Sequence, residues 1–340
     1  MRVSTFSLPL IFFVLLSSIL LTTNSLAASP ARVLIIHSYS VKGNPQWVAD
    51  MNRGIKDQLG PSHQYFQYEM QTKIRPKVDH PRIAVNALRY FADIKPDIVF
   101  LTDDNALRLT GETIAKTGVP VIYMGINGDI RKDYSWLTGY KNVSGVLERP
   151  MLRRAIYDLD TLFTSKLHHV LILMGNNPSS QAIFETDLSG QSQFRINRIN
   201  VTVFRGEWQQ WQQRIEQLDS STSAVVATTF LTMRDGKGKH ISSMDIANWL
   251  THHSPAPLFT IHKEFISDQY FVAGIVLSGY KMAREAAKIG QSMLDGIYTS
   301  TFDRSKYEYT EAVISRSQAE HWQLKVNDQR DPGQQIRYVD

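Results

Sequence analysis

Polar side chains that could bind a solute follow two short apolar runs in the first half of the chain. Thr102-Asp103-Asp104-Asn105 comes directly after Ile98-Val99-Phe100-Leu101, and Gly125-Ile126-Asn127-Gly128-Asp129 follows Val121-Ile122-Tyr123-Met124. Amides and carboxylates can hydrogen-bond a solute, and the paired aspartates could coordinate a cation or hold an amine. These two segments are therefore the first candidates for a binding site.

The elements that must position these residues are buried strands. Both apolar runs are too short and too rich in β-branched residues for helices, and a single helix separates them, which is typical of a parallel α/β sheet. Ligands of open α/β sheets bind beyond the carboxyl ends of the strands. We therefore expect the polar segments to line a cleft.

The alternation of strands and helices runs through most of the chain and changes character once. Predicted strands cover residues 33–36, 65–70, 98–101, 121–124, 170–174, 201–204, 224–230, 257–261 and 311–314, and a further apolar run at residues 274–279 leads into a helix. Near residues 142–146 a short apolar run follows an aromatic loop, which indicates a crossover into a second lobe. The predicted fold class is α/β, with two Rossmann-like lobes whose parallel sheets are flanked by helices and joined by a multi-strand hinge.

This order of elements predicts how the chain is divided. Residues 28–146 plus about 277–300 are assigned to the first lobe, and residues 147–276 plus about 301–325 to the second. Residues 326–340 form a polar tail that we expect to be mobile.

The residues at the predicted strand ends are the candidate ligand-binding groups. They are Ser38, Tyr39, Asp103, Asp104, Asn105, Gly125, Asn127, Glu148, Asn176, Thr229, Phe230 and Glu264. Two alternatives stay open for the aspartates, because adjacent acids at a strand end also cap the following helix. Among the asparagines, Asn127 and Asn176 are favoured as ligand groups, whereas Asn177 precedes a proline and fits a turn. Ser38, Asp103, Asn127 and Asn176 are expected to face one cleft from both lobes.

Motifs for catalysis, cofactors and metals are missing from the sequence. It contains no G-x-S-x-G, H-E-x-x-H or phosphate-loop motif, and no G-x-G-x-x-G follows the first strand. There are no cysteines, and the pairs His168-His169 and His252-His253 lack a third ligand at metal spacing. We therefore expect no catalytic residue, no metal and no cofactor, and an enzyme is the least favoured class. The basic loop at residues 234–240 is interpreted as an exposed loop. If this loop binds anything, we expect it to contact a partner.

The N-terminal residues and the charge indicate an exported protein. Met1-Arg2, an apolar run at residues 8–21 and Ser25-Leu26-Ala27 describe a signal peptide over residues 1–27, which places the mature protein in the periplasm. The alternative, an uncleaved anchor, is disfavoured because the run is shorter than the ~20 residues of a spanning helix. The net charge of +5 is scattered along the chain, which argues against nucleic acid.

Several longer segments resemble a known family. HSYSVKGNPQWVADMNRGIKDQL, GING, NVSGV, RDGKGKHIS, VAGIVLSGYKMAREAAKIGQSMLDG and AVISRSQAEHWQLKV resemble, in order and spacing, the type I periplasmic binding protein superfamily. The resemblance is to the ABC-transporter substrate-binding branch, whose domain also forms the sensor part of histidine kinases and diguanylate cyclases. It implies hinge closure on a small-molecule ligand, with either an ABC-transporter permease or a membrane sensor protein as the partner.

The chemistry of the candidate residues indicates the class of solute. Asp103, Asp104, Glu148 and Glu264 are acidic, and Tyr39 and Phe230 supply aromatic rings. This mixture favours a solute with an amine and an apolar ring or chain, such as an amino acid, an aromatic amine or a nucleobase-like compound. A strongly anionic solute is disfavoured, because nearby carboxylates repel a second negative charge.

Overall fold

The computed structural model describes residues 30–41, 45–298, 309–327 and 336–340. The predicted signal peptide at residues 1–27 lies outside these ranges. Within them, no helix has both the length and the apolar character that a membrane span requires.

The first lobe is a five-stranded sheet in the order β2-β1-β3-β4-β5, with every neighbouring pair parallel. Its strands are β1 (Arg32–His37), β2 (Gln64–Glu69), β3 (Ile98–Thr102), β4 (Val121–Ile126) and β5 (Val143–Leu147). Its helices are α1 (Pro45–Leu59), α2 (His80–Ile94), α3 (Asp104–Ala106), α4 (Glu112–Ala115) and α5 (Ile130–Asp133), with a π-helical turn at Leu107–Gly111 between α3 and α4. Strands β3, β4 and β5 are buried throughout, which explains the apolar runs of β3 and β4.

The second lobe is an eight-stranded sheet in the order β13-β12-β11-β10-β9-β6-β8-β7. Its strands are β6 (His169–Gly175), β7 (Gln193–Ile196), β8 (Ile199–Gly206), β9 (Ala224–Thr228), β10 (Leu258–Thr260), β11 (Ala273–Leu277), β12 (Thr310–Ile314) and β13 (Ile336–Tyr338). Helix α6 (Leu152–Leu162) precedes β6. The helices between β6 and β11 are α7 (Pro178–Thr186), α8 (Trp208–Glu216) and α9 (Ser243–His253). Pairs β7–β8 and β11–β12 are antiparallel, and the other pairs are parallel.

The last described residues differ from the prediction of a mobile tail. Strand β13 pairs with β12, and the side chain of Asp340 accepts hydrogen bonds from the backbone N–H of Arg316 (2.6 Å) and from the hydroxyl of Ser315 (2.8 Å). The short run Ile336–Tyr338 lacks a strong apolar pattern, so its pairing depends on the open edge of β12. This part of the predicted tail is ordered on the sheet.

Helix α10 (Gly279–Leu294) follows a strand of the second sheet but packs on the first lobe. Its apolar face, with Met282 and Ala286, shares one buried cluster with Val33 and Ile35 of β1. The chain then returns to the second sheet as β12, and α11 (Arg316–His321) follows it. The chain therefore passes between the sheets after β5, after β11, and between α10 and β12. The predicted fold class of two α/β lobes is confirmed.

Candidate ligand-binding cleft

A cavity of about 70 Å³ lies between the two lobes. From the first lobe it is lined by Tyr39, Gln46, Trp47, Asp50 and Glu148, from the second by Leu231, Ile261, His262, Lys263 and Glu264, and at the crossings by Leu277, Ser278, Gly279 and Glu311. Of the twelve candidate residues, the structure brings Tyr39, Glu148 and Glu264 to this cavity. Both lobes thus supply a carboxyl group to it.

A buried ion pair between Lys73 and Asp103 lies beside Tyr39 in the first lobe. Lys73, in the loop after β2, places Nζ 2.9 Å from Oδ2 of Asp103 and 5.1 Å from the centre of the Tyr39 ring. Burial opposes the charge on Lys73, but Asp103, Tyr39 and Asp104 together outweigh this effect and raise the pKa of the lysine. Lys73 therefore carries a positive charge that Asp103 neutralises within the lobe.

Asp103 also holds a strained backbone position at the end of β3. Its φ angle of 75° lies in the left-handed region, which a non-glycine residue seldom adopts. Its carboxylate accepts a hydrogen bond from the backbone N–H of Asn105 (3.3 Å) and so caps α3. Of the two roles left open by the sequence, the structure displays the capping role, together with the ion pair to Lys73.

Asp104 connects the ends of two neighbouring strands. Its carboxylate accepts hydrogen bonds from the backbone N–H groups of Asn127 (3.0 Å) and Gly128 (3.0 Å) and from the hydroxyl of Tyr134 (2.7 Å). Burial, and then the negative charge of Asp104, raise the pKa of Tyr134, so the phenol remains a proton donor. The acceptor positions of Asp104 are thus used within the first lobe.

Ser38 and Asn105 are also occupied by contacts within the first lobe. The buried hydroxyl of Ser38 donates to the carbonyl of Thr102 (3.0 Å) and accepts from the backbone N–H of Ala106 (2.8 Å). The side chain of Asn105 accepts from Arg108. Both residues fix the turn between β3 and α3 rather than line the cavity.

Gly125 and Asn127 lie at the end of β4, near Glu148. Gly125 has a φ angle of 72°, and a Cβ at this position would lie 3.5 Å from Oε2 of Glu148. A glycine here permits the left-handed turn that brings the backbone toward Glu148. The side-chain Oδ1 of Asn127 is buried and has no hydrogen-bond partner among the described residues.

Three candidates of the second lobe lie away from the cavity lining. Asn176 is exposed and donates to Oε1 of Glu207 (3.0 Å). Thr229 accepts a hydrogen bond from the backbone N–H of Gly175 (3.1 Å). Phe230 is a candidate ligand-binding residue, but its ring is fully buried against other aromatic side chains and supports the wall from behind. The four residues expected to share one cleft therefore do not line this cavity.

Glu148 is the most perturbed carboxyl group of the cavity wall. Burial, and then the neighbouring charge of Asp103, raise its pKa to about 8. Burial also raises the pKa of Tyr39, and the carboxylates of Glu148 and Glu264 add to this rise. Near neutral pH, Glu148 is therefore mostly protonated, and a cation beside it would favour loss of that proton.

The structure adds wall residues that the sequence reasoning did not select. Trp47 and Asp50 project from the start of α1, and the Trp47 ring packs beside Gly279, 3.1 Å from where a Cβ would lie. Lys263 forms an ion pair with Glu311 across 3.3 Å. His262 follows β10, so the rule that selected the other strand ends could have selected it as well.

Comparison with known proteins identifies the fold. No protein-family model matches the sequence, and no curated protein is significantly similar to it. Among solved structures, a ligand-free, open substrate-binding protein with adhesive properties from Clostridium difficile is similar over 91% of this chain and 99% of its own, with a TM-score of 0.63 and 14% identity. An ABC domain in complex with L-Trp from Streptococcus pneumoniae covers 88% of this chain and 97% of its own, with a TM-score of 0.58 and 12% identity.

An arabinose-binding protein from Geobacillus stearothermophilus is similar over 86% of this chain and 99% of its own, with a TM-score of 0.54 and 12% identity. These proteins share the arrangement of two α/β lobes around a central cleft. The chain described here has the type I periplasmic binding protein fold.

Proposed function

We propose that this protein binds a small solute carrying an amine and an aromatic or apolar group in the cleft between its lobes, and that the lobes close on it. The carboxyl groups on both walls carry the proposal. Asp50 and Glu148 face the cavity from the first lobe, and Glu264 faces it from the second.

The charges around the cavity favour a cation over an anion. Lys73 is neutralised by Asp103, and Lys263 is paired with Glu311, so these two lysines have local counter-ions. Glu148 has no basic residue within ion-pair distance among the described residues. A bound ammonium group beside Glu148 would favour its ionised form.

The apolar part of such a solute would pack against aromatic side chains. Tyr39 and Trp47 both line the cavity from the first lobe. Aromatic rings provide a large apolar contact area for a ring or chain. One structural neighbour was solved with L-Trp, which has both an amine and an aromatic ring, and this supports the proposed class of solute.

A thermal-shift screen with matched pairs tests the class of solute. Tryptamine and indole-3-propionate share one ring, but the first carries an ammonium and the second a carboxylate. We expect tryptamine and related amines to raise the melting temperature, because a ligand that binds only the folded state stabilises it by RT ln(1 + [L]/Kd). Stabilisation by the carboxylates and none by the amines would contradict the proposal.

The proposed role is binding and delivery rather than catalysis. We propose that the mature protein begins near Ala28, acts in the periplasm and delivers its solute to an ABC-transporter permease. The substrate-binding proteins among its structural neighbours support this role. Mass spectrometry of protein released by osmotic shock should find the shortened N-terminus, and co-purification with a permease should depend on bound solute. An intact N-terminus in the membrane fraction would contradict the export step.

A further inference from the structure

His262 lies in the wall of the cleft with a hydrogen-bonding atom unused. The residue follows β10 and lines the cavity opposite Tyr39 and Glu148. Its backbone N–H donates to Oγ1 of Thr260 (3.1 Å), which fixes the turn. The ring atom Nε2 is buried and has no hydrogen-bond partner among the described residues.

The surroundings of the His262 ring are apolar. The ring centre lies 5.3 Å from that of Phe230 and 6.4 Å from that of Phe265, in edge-to-face arrangements. A polar group buried without a hydrogen-bond partner destabilises the folded state. If packing were the only role of this position, an apolar side chain would stabilise the fold more than histidine does. The presence of histidine therefore points to a hydrogen bond that Nε2 makes in another state of the protein.

The charge state of His262 suits a cationic solute. Burial lowers its pKa to about 4, so the imidazole is neutral near pH 7. A neutral imidazole does not repel an ammonium group held nearby, and its unprotonated nitrogen can accept a hydrogen bond. The acidic wall of the first lobe and the neutral ring of the second thus offer two different kinds of contact.

We propose that His262 is a specificity-determining residue of the cleft, which accepts a hydrogen bond from a ring N–H of the solute while Glu148 on the opposite wall holds the solute's ammonium group. The solute class is then an amine whose aromatic ring carries an N–H. This inference rests on the proposed function. It adds to that function the residue, His262, that distinguishes aromatic amines with a ring N–H from those without one.

Two probes separate this role from a general contribution to binding. Tryptamine has an ammonium group and a ring N–H, whereas phenethylamine has the ammonium group and a ring without an N–H. Calorimetric titration of H262L should show tryptamine affinity reduced about tenfold, the value of about 1.4 kcal/mol that corresponds to one lost hydrogen bond. Phenethylamine affinity should change less than about twofold.

Control variants keep the result interpretable. H252L replaces an exposed histidine of α9, outside the cavity, and should leave the affinity for both probes unchanged. H262L should melt no lower than the wild type, since it removes an unpaired polar atom from an apolar site. H262F serves as a second apolar variant and should give the same selective loss if H262L fails to fold.

The outcomes distinguish this inference from the proposed function. Equal affinity of wild type and H262L for tryptamine, or equal loss for both probes, would overturn the role of His262. If one of these results is obtained for H262L but E148Q lowers the affinity for both probes, the proposed amine-binding function stands without the role of His262. If neither probe binds the wild type, both the proposed function and this inference fail.

Discussion

The carboxyl group of Glu148 connects ligand binding to protein stability through one proton. Its side chain lies among Asp103, Asp104, Lys73 and Arg149, and its pKa is raised from 4.5 to about 8. Between pH 4.5 and about pH 8, Glu148 therefore keeps its proton in the native state, whereas it has lost that proton in the unfolded chain. A group of this kind makes folding less favourable as the pH rises toward its native pKa.

The first prediction concerns the pH dependence of the unliganded protein. Between pH 6.5 and pH 8 the free energy of unfolding should fall by roughly 1.7 kcal/mol, because the native state binds more protons than the unfolded state in this range. E148Q should remove most of this fall. His37 and His262 have pKa values lowered to about 4 by burial, so their opposite effect lies between about pH 4 and pH 6.5.

Urea denaturation at pH 6.5 and pH 8 measures this difference. The E264Q variant is a matched control, since Glu264 is an exposed carboxyl group of the same cleft. A wild-type stability that stays level or rises from pH 6.5 to pH 8, or an E148Q profile as steep as the wild type, would show that Glu148 does not carry the raised pKa.

The second prediction concerns the hydrogen bonds of Asp104. D104A should lower the free energy of unfolding by about 2–4 kcal/mol, because two backbone N–H groups and the Tyr134 hydroxyl lose a charged acceptor. Chemical denaturation of D104A and of D93A, a variant of an exposed aspartate on α2, provides the comparison. If D104A and D93A are equally stable, water replaces the hydrogen bonds of Asp104 without any loss in the free energy of unfolding.

At the residue scale, the sequence predicted where polar groups would lie but not which of them the fold itself uses. Asp104 meets its partners 23 and 24 positions later in the chain, so its structural role depends on the neighbouring strand. Lys73 and His262 follow strands as well, so the strand-end rule could have selected them, but it does not rank one polar residue above its neighbours. Their importance comes from burial and from the opposite wall, which a linear pattern does not contain.

At the scale of elements, the contact between α1 and α10 ties the crossing segment to the first lobe. The two helices approach closely at Gly54, where a Cβ would lie 2.5 Å from the carbonyl oxygen of Tyr280 and 2.8 Å from Cβ of Ala283. The Tyr280 hydroxyl donates to Asp57 of α1 (3.0 Å) at the edge of the same contact. The small residue at position 54 therefore sets the distance between the helices.

The third prediction tests this contact. G54A should lower the free energy of unfolding by about 1–3 kcal/mol, since the added methyl group forces the helices apart. This loss should occur even though alanine favours a helix over glycine by about 1 kcal/mol. G139A is the control, because a Cβ at Gly139 would meet nothing within 4 Å. Equal stability of G54A and the wild type in urea would indicate that α10 moves freely against α1.

The sequence predicted interior strands well and edge strands poorly. Buried parallel strands such as β3 and β4 consist of apolar runs with clear ends, so their residues identify them directly. Strands β7 and β13 lie at the two ends of the second sheet and are only partly buried. Their pairing depends on a neighbour that already exists, and their own sequences carry little periodic signal.

At the scale of the whole molecule, the chain passes between the two lobes three times. Leu277, Ser278 and Gly279 form one crossing and also line the cavity, so a movement there changes both the angle between the lobes and the shape of the site. Short connections that absorb changes in backbone angle are typical hinges. The division into two lobes was predictable because strand and helix alternate throughout, whereas the angle between them is not encoded in any local pattern.

The fourth prediction uses the complete lack of cysteines in the chain. Spin labels at V78C and M244C, two exposed positions that follow strand ends on different lobes, should move closer when tryptamine binds, as measured by pulsed electron paramagnetic resonance. Y157C with M244C places both labels on the second lobe and should keep its distance. An unchanged distance for the first pair at saturating solute would contradict closure of the lobes.

The return of the chain from α10 to β12 also restricts the order in which the protein can acquire its structure. One of the buried clusters of the first lobe includes Met282 and Ala286, and one of those of the second lobe includes Ala312 and Ile314. A chain that emerges from the ribosome starting at its N-terminus cannot complete either cluster until almost all of its residues are available. We therefore infer that both lobes reach their final stability together, late in synthesis, and that a growing chain stays incompletely folded until then.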